Sequence, residues 1–286
     1  MLPFSMPIGV DFGLTVTDVV LVQDGAVRLH RALYRPGPAG AGVLERAIAA
    51  LGHAAAEERT IAVTGGRSRE LPDTFGAARV VPVDEPSAIG RGGLALAGLP
   101  KALVVSCGTG TAMVAADVAA DTYRHVSGTP VGGGTLEGLG ARLLGVGSAP
   151  SLAELAERGD ASRVDTTLGD VLGGGVGDLP PRATAVSFGR FAGGSLDAAP
   201  EDVAAALVTM VAQTIGLVAL NAARANGLDA VVIVGRTAEL APVARMIGAV
   251  FAVYGAASSL HVPAGAATAT AYGAALAAGA PQAAAS

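Results

Sequence analysis

Val104-Val105-Ser106-Cys107-Gly108-Thr109-Gly110-Thr111-Ala112-Met113-Val114-Ala115-Ala116 sets a Gly/Thr turn between two apolar runs. The same arrangement stands earlier in the chain, in Val10-Asp11-Phe12-Gly13-Leu14-Thr15-Val16-Thr17-Asp18-Val19-Val20-Leu21-Val22. Short β-branched runs bounded by glycine read as buried strands. Their repetition predicts a duplicated α/β chain with a cleft between two halves.

The remaining pattern extends that reading. Strands are expected at Ile8–Asp11, Val16–Val22, Ile61–Thr64, Val80–Val83, Leu103–Ser106, Ala112–Ala116 and Val231–Val234, with Asp24-Gly25 opening a turn. Helical spacing marks Leu44–Leu51, Ala88–Leu99, Thr135–Leu144, Ser151–Glu157 and Ala267–Ala278. The clearest helix is Glu201–Asn226: Pro200, Glu201 and Asp202 suit its start and Gly227 its end. Val203, Leu207, Val211, Ile215 and Val218 line one face, while Met210, Leu217, Leu220 and many Ala residues occupy the others. A helix apolar nearly all round needs cover on more than one side. A second subunit or a wholly internal position would each supply it, and a homodimer is expected.

Composition narrows the class. The 286 residues are 51% hydrophobic but 3% aromatic, with no Trp, so Ala, Val and Leu must build the core. A net charge of −5 and a pI near 5.4 argue against a nucleic-acid-binding surface. Lys101 is the only lysine and Cys107 the only cysteine. A lone cysteine permits no intrachain disulfide and fits a reducing compartment. The opening MLPFSMPIGVD lacks a basic stretch followed by a long apolar one, so no secretory leader is expected and the expected location is the cytoplasm. Residues 246–286 carry no formal charge, but Gly248, Gly255, Pro263 and Gly265 interrupt them. A buried helix, strand and helix fits better than a membrane span of about 20 apolar residues.

Chemistry concentrates in the turns. Gly13, Leu14 and Thr15 form the first, and glycine there lets backbone N–H groups and hydroxyls approach a phosphate closely. Asp11, at the strand end, is placed to hold Mg²⁺ through water, since that ion prefers oxygen ligands and retains several waters. Taken alone, the turn is also what an ordinary hairpin with an acidic rim looks like. Gly108, Thr109, Gly110 and Thr111 make the second turn. No GxxxxGK[ST] stretch is present. The third segment runs Arg124-His125-Val126-Ser127-Gly128-Thr129-Pro130-Val131-Gly132-Gly133-Gly134-Thr135-Leu136-Glu137-Gly138-Leu139-Gly140. Three glycines before a helix start are expected to leave its N–H groups open to an anion.

The paired turns resemble the two phosphate loops of the acetate and sugar kinase, heat-shock ATPase and actin superfamily. The third segment resembles the V-S-G-T…G-G-G-T…G-L stretch of type II and eukaryotic pantothenate kinases. Val63-Thr64-Gly65-Gly66, Asp84-Glu85-Pro86-Ser87, Gly159-Asp160, Asp178-Leu179, Ala183–Gly189, Val231–Gly235 and Gly265–Gly273 agree with that family in order and spacing. The resemblance covers residues 8–279.

It implies two ribonuclease-H-like domains flanking an ATP cleft. One spans 1–100, with helix 267–279 packing back on it; the other spans 101–266 and carries the substrate and dimer elements. It further implies ATP-dependent phosphorylation of pantothenate, with Glu85 as the base and Mg²⁺ at Asp11. ATP would contact Asp11, Gly13, Leu14, Thr15, Gly108, Thr109, Gly110, Thr111, Gly132, Gly133, Gly134 and, on its adenosine side, Gly235. The acceptor would meet Arg124, His125, Ser127, Gly128 and Thr129. Two alternatives are a kinase of another small alcohol and a nucleotide-binding activator or regulatory ATPase. Activator ATPases of that superfamily use a subunit-bridging cysteine, but a small buried residue is the preferred reading of Cys107. Two departures stand out: Asp18 holds the position of the family's first-loop lysine, and His125 that of an arginine before V-S-G. His30, His53 and His261 show no metal-ligand spacing and read as peripheral.

Overall fold

The computed structural model describes residues 7–52, 60–193, 197–254 and 258–279. The first half runs β1 (Ile8–Phe12), β2 (Val16–Gln23), β3 (Ala26–Tyr34), α1 (Ala41–Ala50), β4 (Thr60–Gly65), β5 (Thr74–Phe75), β6 (Ala78–Pro82) and α2 (Glu85–Ala97). The second opens with β7 (Lys101–Cys107), β8 (Thr111–Asp117), β9 (Thr122–Thr129), α3 (Gly133–Leu144) and α4 (Ala149–Ala156). It continues through β10 (Thr166–Thr167), α5 (Leu168–Leu172), β11 (Thr184–Val186) and α6 (Pro200–Ala225). It closes with β12 (Ala230–Val234), α7 (Ala241–Tyr254), β13 (Ser259–His261) and α8 (Ala269–Gly279).

The two main sheets have one plan. The first has the order β3-β2-β1-β4-β6-β5 and the second β13-β12-β7-β8-β9. In the first, β2 runs antiparallel to β1 and β3, while β1, β4 and β6 are parallel. In the second, β8 runs antiparallel to β7 and β9, while β7, β12 and β13 are parallel. The expected duplication is therefore present over five strands of each sheet, with β5 an addition at the edge of the first. β3 was not read from the sequence; its alternation is weak because the strand closes a sheet edge, with Arg28, His30 and Arg31 on it. The β2–β3 turn is Asp24-Gly25, with φ of 51° and 75°, the left-handed pair that a tight hairpin requires.

The last helix of each half joins the sheets. α8 packs on β1, β2 and β4, while α2 packs on β7, β8 and β9. The two helices cross where neither has a side chain. A Cβ on Gly92 would stand 1.8 Å from the Ala269 carbonyl oxygen, and one on Gly273 would stand 1.8 Å from that of Ala88. The contact is reciprocal, as an approximate two-fold relation between the halves demands.

Val, Ile, Leu and Ala fill the cores, and the buried aromatics are Phe12, Phe251 and Tyr272. α6 is long and apolar enough to cross a membrane by length and composition, yet it is a core helix. The second sheet covers one side, and α3, α4 and α7 cover others. Even Asp202 in its first turn is buried, accepting the N–H of Asp160 at 2.8 Å. The apolar surround of α6 thus finds most of its cover within the chain, as the wholly internal reading requires. The uncharged stretch from Met246 folds as the end of α7, then β13 and α8.

Candidate active site

The two Gly/Thr hairpins meet. The Thr15 and Thr109 hydroxyls, on β1–β2 and β7–β8 respectively, lie 3.0 Å apart across the gap between the sheets. They border a cavity of about 420 Å³ that also takes in Asp11, Gly13, Asp18, Gly108, Gly133, Gly134, Glu137, Gly235 and Arg236. Leu14 points away, 85% exposed at the tip of the first turn.

Asp11 is the penultimate residue of β1 and pairs in register with Asp18 on β2 and Thr64 on β4, so all three share one face. Burial first, then the Asp18 and Glu85 carboxylates, push the Asp11 carboxyl up to about 8, against the pull of Arg236. Thr64 has a buried hydroxyl with no partner. A carboxyl short of positive charge beside an orphaned hydroxyl suits a cation. Among the described residues no three ligating side chains form a cluster. Mg²⁺ takes one or two carboxylates and completes its shell with water and phosphate.

The second hairpin is held from three directions. The N–H groups of Gly133 and Gly134 donate to the carbonyls of Gly108 and Thr109 at 2.8 and 2.9 Å. The Thr237 hydroxyl donates to Gly108 O at 3.2 Å. Gly235, at φ 91°, lies so close that a Cβ would stand 2.4 Å from the Cys107 carbonyl oxygen. These contacts correct the expected role of the triple glycine. Gly132 N donates to Thr135 Oγ1, and the next two N–H groups are spent on the loop rather than left open to an anion. Glycine is needed for closeness: a Cβ on Gly132 would stand 2.7 Å from Thr109 O, and one on Gly134 2.5 Å from Thr109 Cγ2. Thr111 is tied to the same segment, donating to Val131 O at 2.9 Å. Cys107 is fully buried, and burial raises its thiol to about 12. That is the small-residue role, and such a thiol is not presented for bridging subunits.

Glu85 is the first residue of α2. Asp84 caps the helix by accepting from Ser87 N at 2.9 Å, and Pro86 sits in the first turn, where its missing N–H costs no helical bond. The helix start leaves Glu85 exposed and close enough to Asp11 to raise its carboxyl.

β9 carries a bulge. Ser127 pairs with Met113 and His125 with Val114, so Val126 is the extra residue. The bulge shifts the alternation of side chains. Arg124, Ser127 and Thr129 share the face of Met113; His125 and Gly128 share that of Val114, opposite Val104, on which Gly93 of α2 packs. Arg124 instead reaches α6, donating to Asn226 Oδ1 at 3.2 Å. The five expected acceptor residues are therefore split, and only His125 and Gly128 lie on the face that α2 covers.

One further expectation changes, that for His30, while Lys101 stays remote from the first hairpin. Lys101 opens β7, six residues before the hairpin, about 20 Å away in an extended strand, and pairs with Asp117 at 3.2 Å. It is not a cleft residue. His30 is not peripheral: its Nε2 lies 2.6 Å from Asp18 Oδ1. His261 bonds Ser259 Oγ at 3.0 Å, and His53 lies outside the described residues. Arg236, which with Thr237 follows Val231–Gly235 in the adenosine-side loop that the resemblance implies, bonds Asp18 across the gap through its guanidinium, and this pairing is what the sequence does not show. A separation of 218 residues left no spacing signal from which to find the pair.

Residues 99–252, more than half of the chain, match the family model described as Fumble. This chain belongs to the Fumble family. It is similar to a type II pantothenate kinase of Oceanobacillus iheyensis, 33% identical over 181 residues, covering 61% of this chain and 66% of that protein. The chain thus spans under two thirds of that relative's length, and less of other curated relatives. In fold it is similar to the activator of 2-hydroxyisocaproyl-CoA dehydratase from Clostridium difficile with bound ADPNP. That likeness has a TM-score of 0.66 at 19% identity, over 96% of this chain and 94% of that one. A glucokinase of the ROK family from Streptomyces griseus, in complex with glucose and AMPPNP, matches with a TM-score of 0.57 at 16% identity, over 95% and 98%. The Fumble-family chain thus has the two-domain fold expected of sugar kinases and their kin.

Proposed function

We propose that this protein transfers the γ-phosphoryl group of ATP to the primary hydroxyl of pantothenate. The observation that carries the reading is the meeting of two equivalent Gly/Thr hairpins over one cavity that Asp11 lines, with Glu85 near enough to raise the Asp11 carboxyl, in a chain of the Fumble family. ATP phosphates lie between the hairpins, and the adenosine lies toward Gly235. The second hairpin, fixed by the triple glycine, sets the phosphate position. The first brings the Thr15 hydroxyl and Asp11. Asp11 would hold Mg²⁺, which would supply charge that offsets the transferring phosphoryl group.

Glu85 accepts the proton of the acceptor hydroxyl as it attacks, making the oxygen a better nucleophile. His125 and Gly128 face the acceptor on the α2 side of β9, and His125 orients its polar end. The protein works in the cytoplasm as a homodimer. The exposed Leu217 and Tyr254 border a groove of about 680 Å³ between α6 and α7, which is the surface offered for the second subunit.

His125 in the place of an arginine favours one second reading, a kinase of another small alcohol. ATP-dependent phosphate transfer measured across pantothenate and related alcohols tests both. Pantothenate is expected to be the best acceptor. Transfer to a different alcohol selects the second reading, and transfer to none contradicts both.

A further inference from the structure

The nucleotide cavity is short of positive charge. Four carboxylates line it, those of Asp11, Asp18, Glu137 and Glu239, against one base, Arg236. A nucleoside triphosphate adds further negative charge. Lys101 is tied to Asp117 at the far end of β7.

We infer that Arg236 is the phosphate-binding cation of this site, delivered from the second domain and held over the cleft by Asp18. This rests on the nucleotide reading above and adds to it the residue that meets the phosphate charge. Arg236 follows Gly235 directly after β12, at the start of a short 3₁₀ turn, Arg236–Glu239. One terminal nitrogen bonds Asp18 Oδ1. The other approaches the Tyr34 hydroxyl at 3.4 Å, with the guanidinium carbon 5.4 Å from the centre of that ring. Asp18 is itself only 6% exposed and also bonded to His30, so the shelf under the guanidinium is fixed.

A guanidinium has five N–H donors in a planar fork that matches phosphate oxygens. Asp18 and Tyr34 engage two of them, and Nε is buried without a partner. The arginine is therefore oriented but not saturated. Asp18 pairs in register with Asp11, and the Arg236 charge is felt at Asp11. The cation thus stands over the same strand pair as the carboxylate proposed for Mg²⁺. An acid at position 18 is what a cation arriving from the opposite domain needs; a lysine there would repel it. Because the pair spans the two sheets, the cation is in place only while the domains keep this approach.

The test compares ATP with adenosine, which shares the base and sugar but lacks the phosphates. Dissociation constants for both are measured by titration calorimetry on the whole chain, as parent, Arg236→Met, Arg236→Lys and Asp18→Asn. Loss of a charge-assisted phosphate contact is expected to weaken ATP by about 10–100-fold in Arg236→Met, with adenosine binding unchanged. Arg236→Lys keeps a charge without the fork and is expected to fall between parent and Arg236→Met. Asp18→Asn is expected to weaken ATP more than adenosine, because the cation loses its shelf. Equal losses for both ligands would make Arg236 a structural tie and overturn the inference, as would unchanged ATP binding. Should Arg236→Met not fold, Arg236→Lys decides by the same comparison. A parent that binds no adenine nucleotide overturns the nucleotide reading itself, and this inference with it.

Discussion

The two hairpins occupy equivalent places in equivalent sheets, yet they are built differently. The first carries Asp11 and Asp18 on its strands and exposes Leu14 at its tip. The second carries no charge near its turn, its Lys101–Asp117 pair lying at the far end of the strands; it buries Cys107 at its base and is bonded to α3 and to the segment after β12. Duplication supplied one geometry twice, and the halves then diverged into a charged wall and a neutral scaffold. Substitutions on the charged side should change chemistry with little loss of stability. Substitutions on the scaffold should do the reverse.

Glu85→Gln tests the charged side most severely. It keeps the shape and removes the base, so turnover is expected to fall by about 10²–10⁴ while ATP binding and the unfolding midpoint hold. Unchanged turnover removes Glu85 from the mechanism. Gly132→Ala is the scaffold counterpart. Its Cβ would press on the Thr109 and Gly108 carbonyl oxygens, 2.7 and 2.9 Å away. Overpacking of that kind costs about 1–3 kcal/mol, read by denaturant unfolding. A variant as stable as the parent contradicts the scaffold reading.

Asp11 links stability to pH. Its carboxyl is raised from 3.8 to about 8, so the folded protein holds that proton more tightly than the unfolded chain does. This contribution is fully present below pH 3.8 and is lost as pH rises through about 8. Without nucleotide, stability should decline across that window, and Asp11→Asn should flatten the decline. An unaltered slope in the variant would place its origin elsewhere. The smallest effect belongs to the tip of the charged hairpin. Leu14→Ser changes a side chain 85% exposed, and the unfolding free energy should stay within about 0.5 kcal/mol of the parent. A larger loss would mean that the first hairpin is packed as the second is.

Much of this plan is legible in the chain. The Gly/Thr turns mark both hairpins because only small residues let the backbone turn and approach closely there. The apolar run of α6 and its acidic start mark that helix. What was not legible lies in contacts between distant segments. Three glycines in a row say that something comes close, but not that it is the second hairpin rather than an anion. The bulge at Val126 leaves no mark of its own in an otherwise ordinary run, yet it decides that His125 and not Arg124 faces α2. Asp18 gains its meaning only from Arg236, 218 residues away.

A crystal structure with Mg²⁺ and a non-hydrolysable ATP analogue tests the central claim most directly. The account predicts phosphates between the Thr15 and Thr109 hydroxyls, the metal on the Asp11 side and the adenosine toward Gly235. A nucleotide bound elsewhere, in the groove between α6 and α7 for instance, would contradict it.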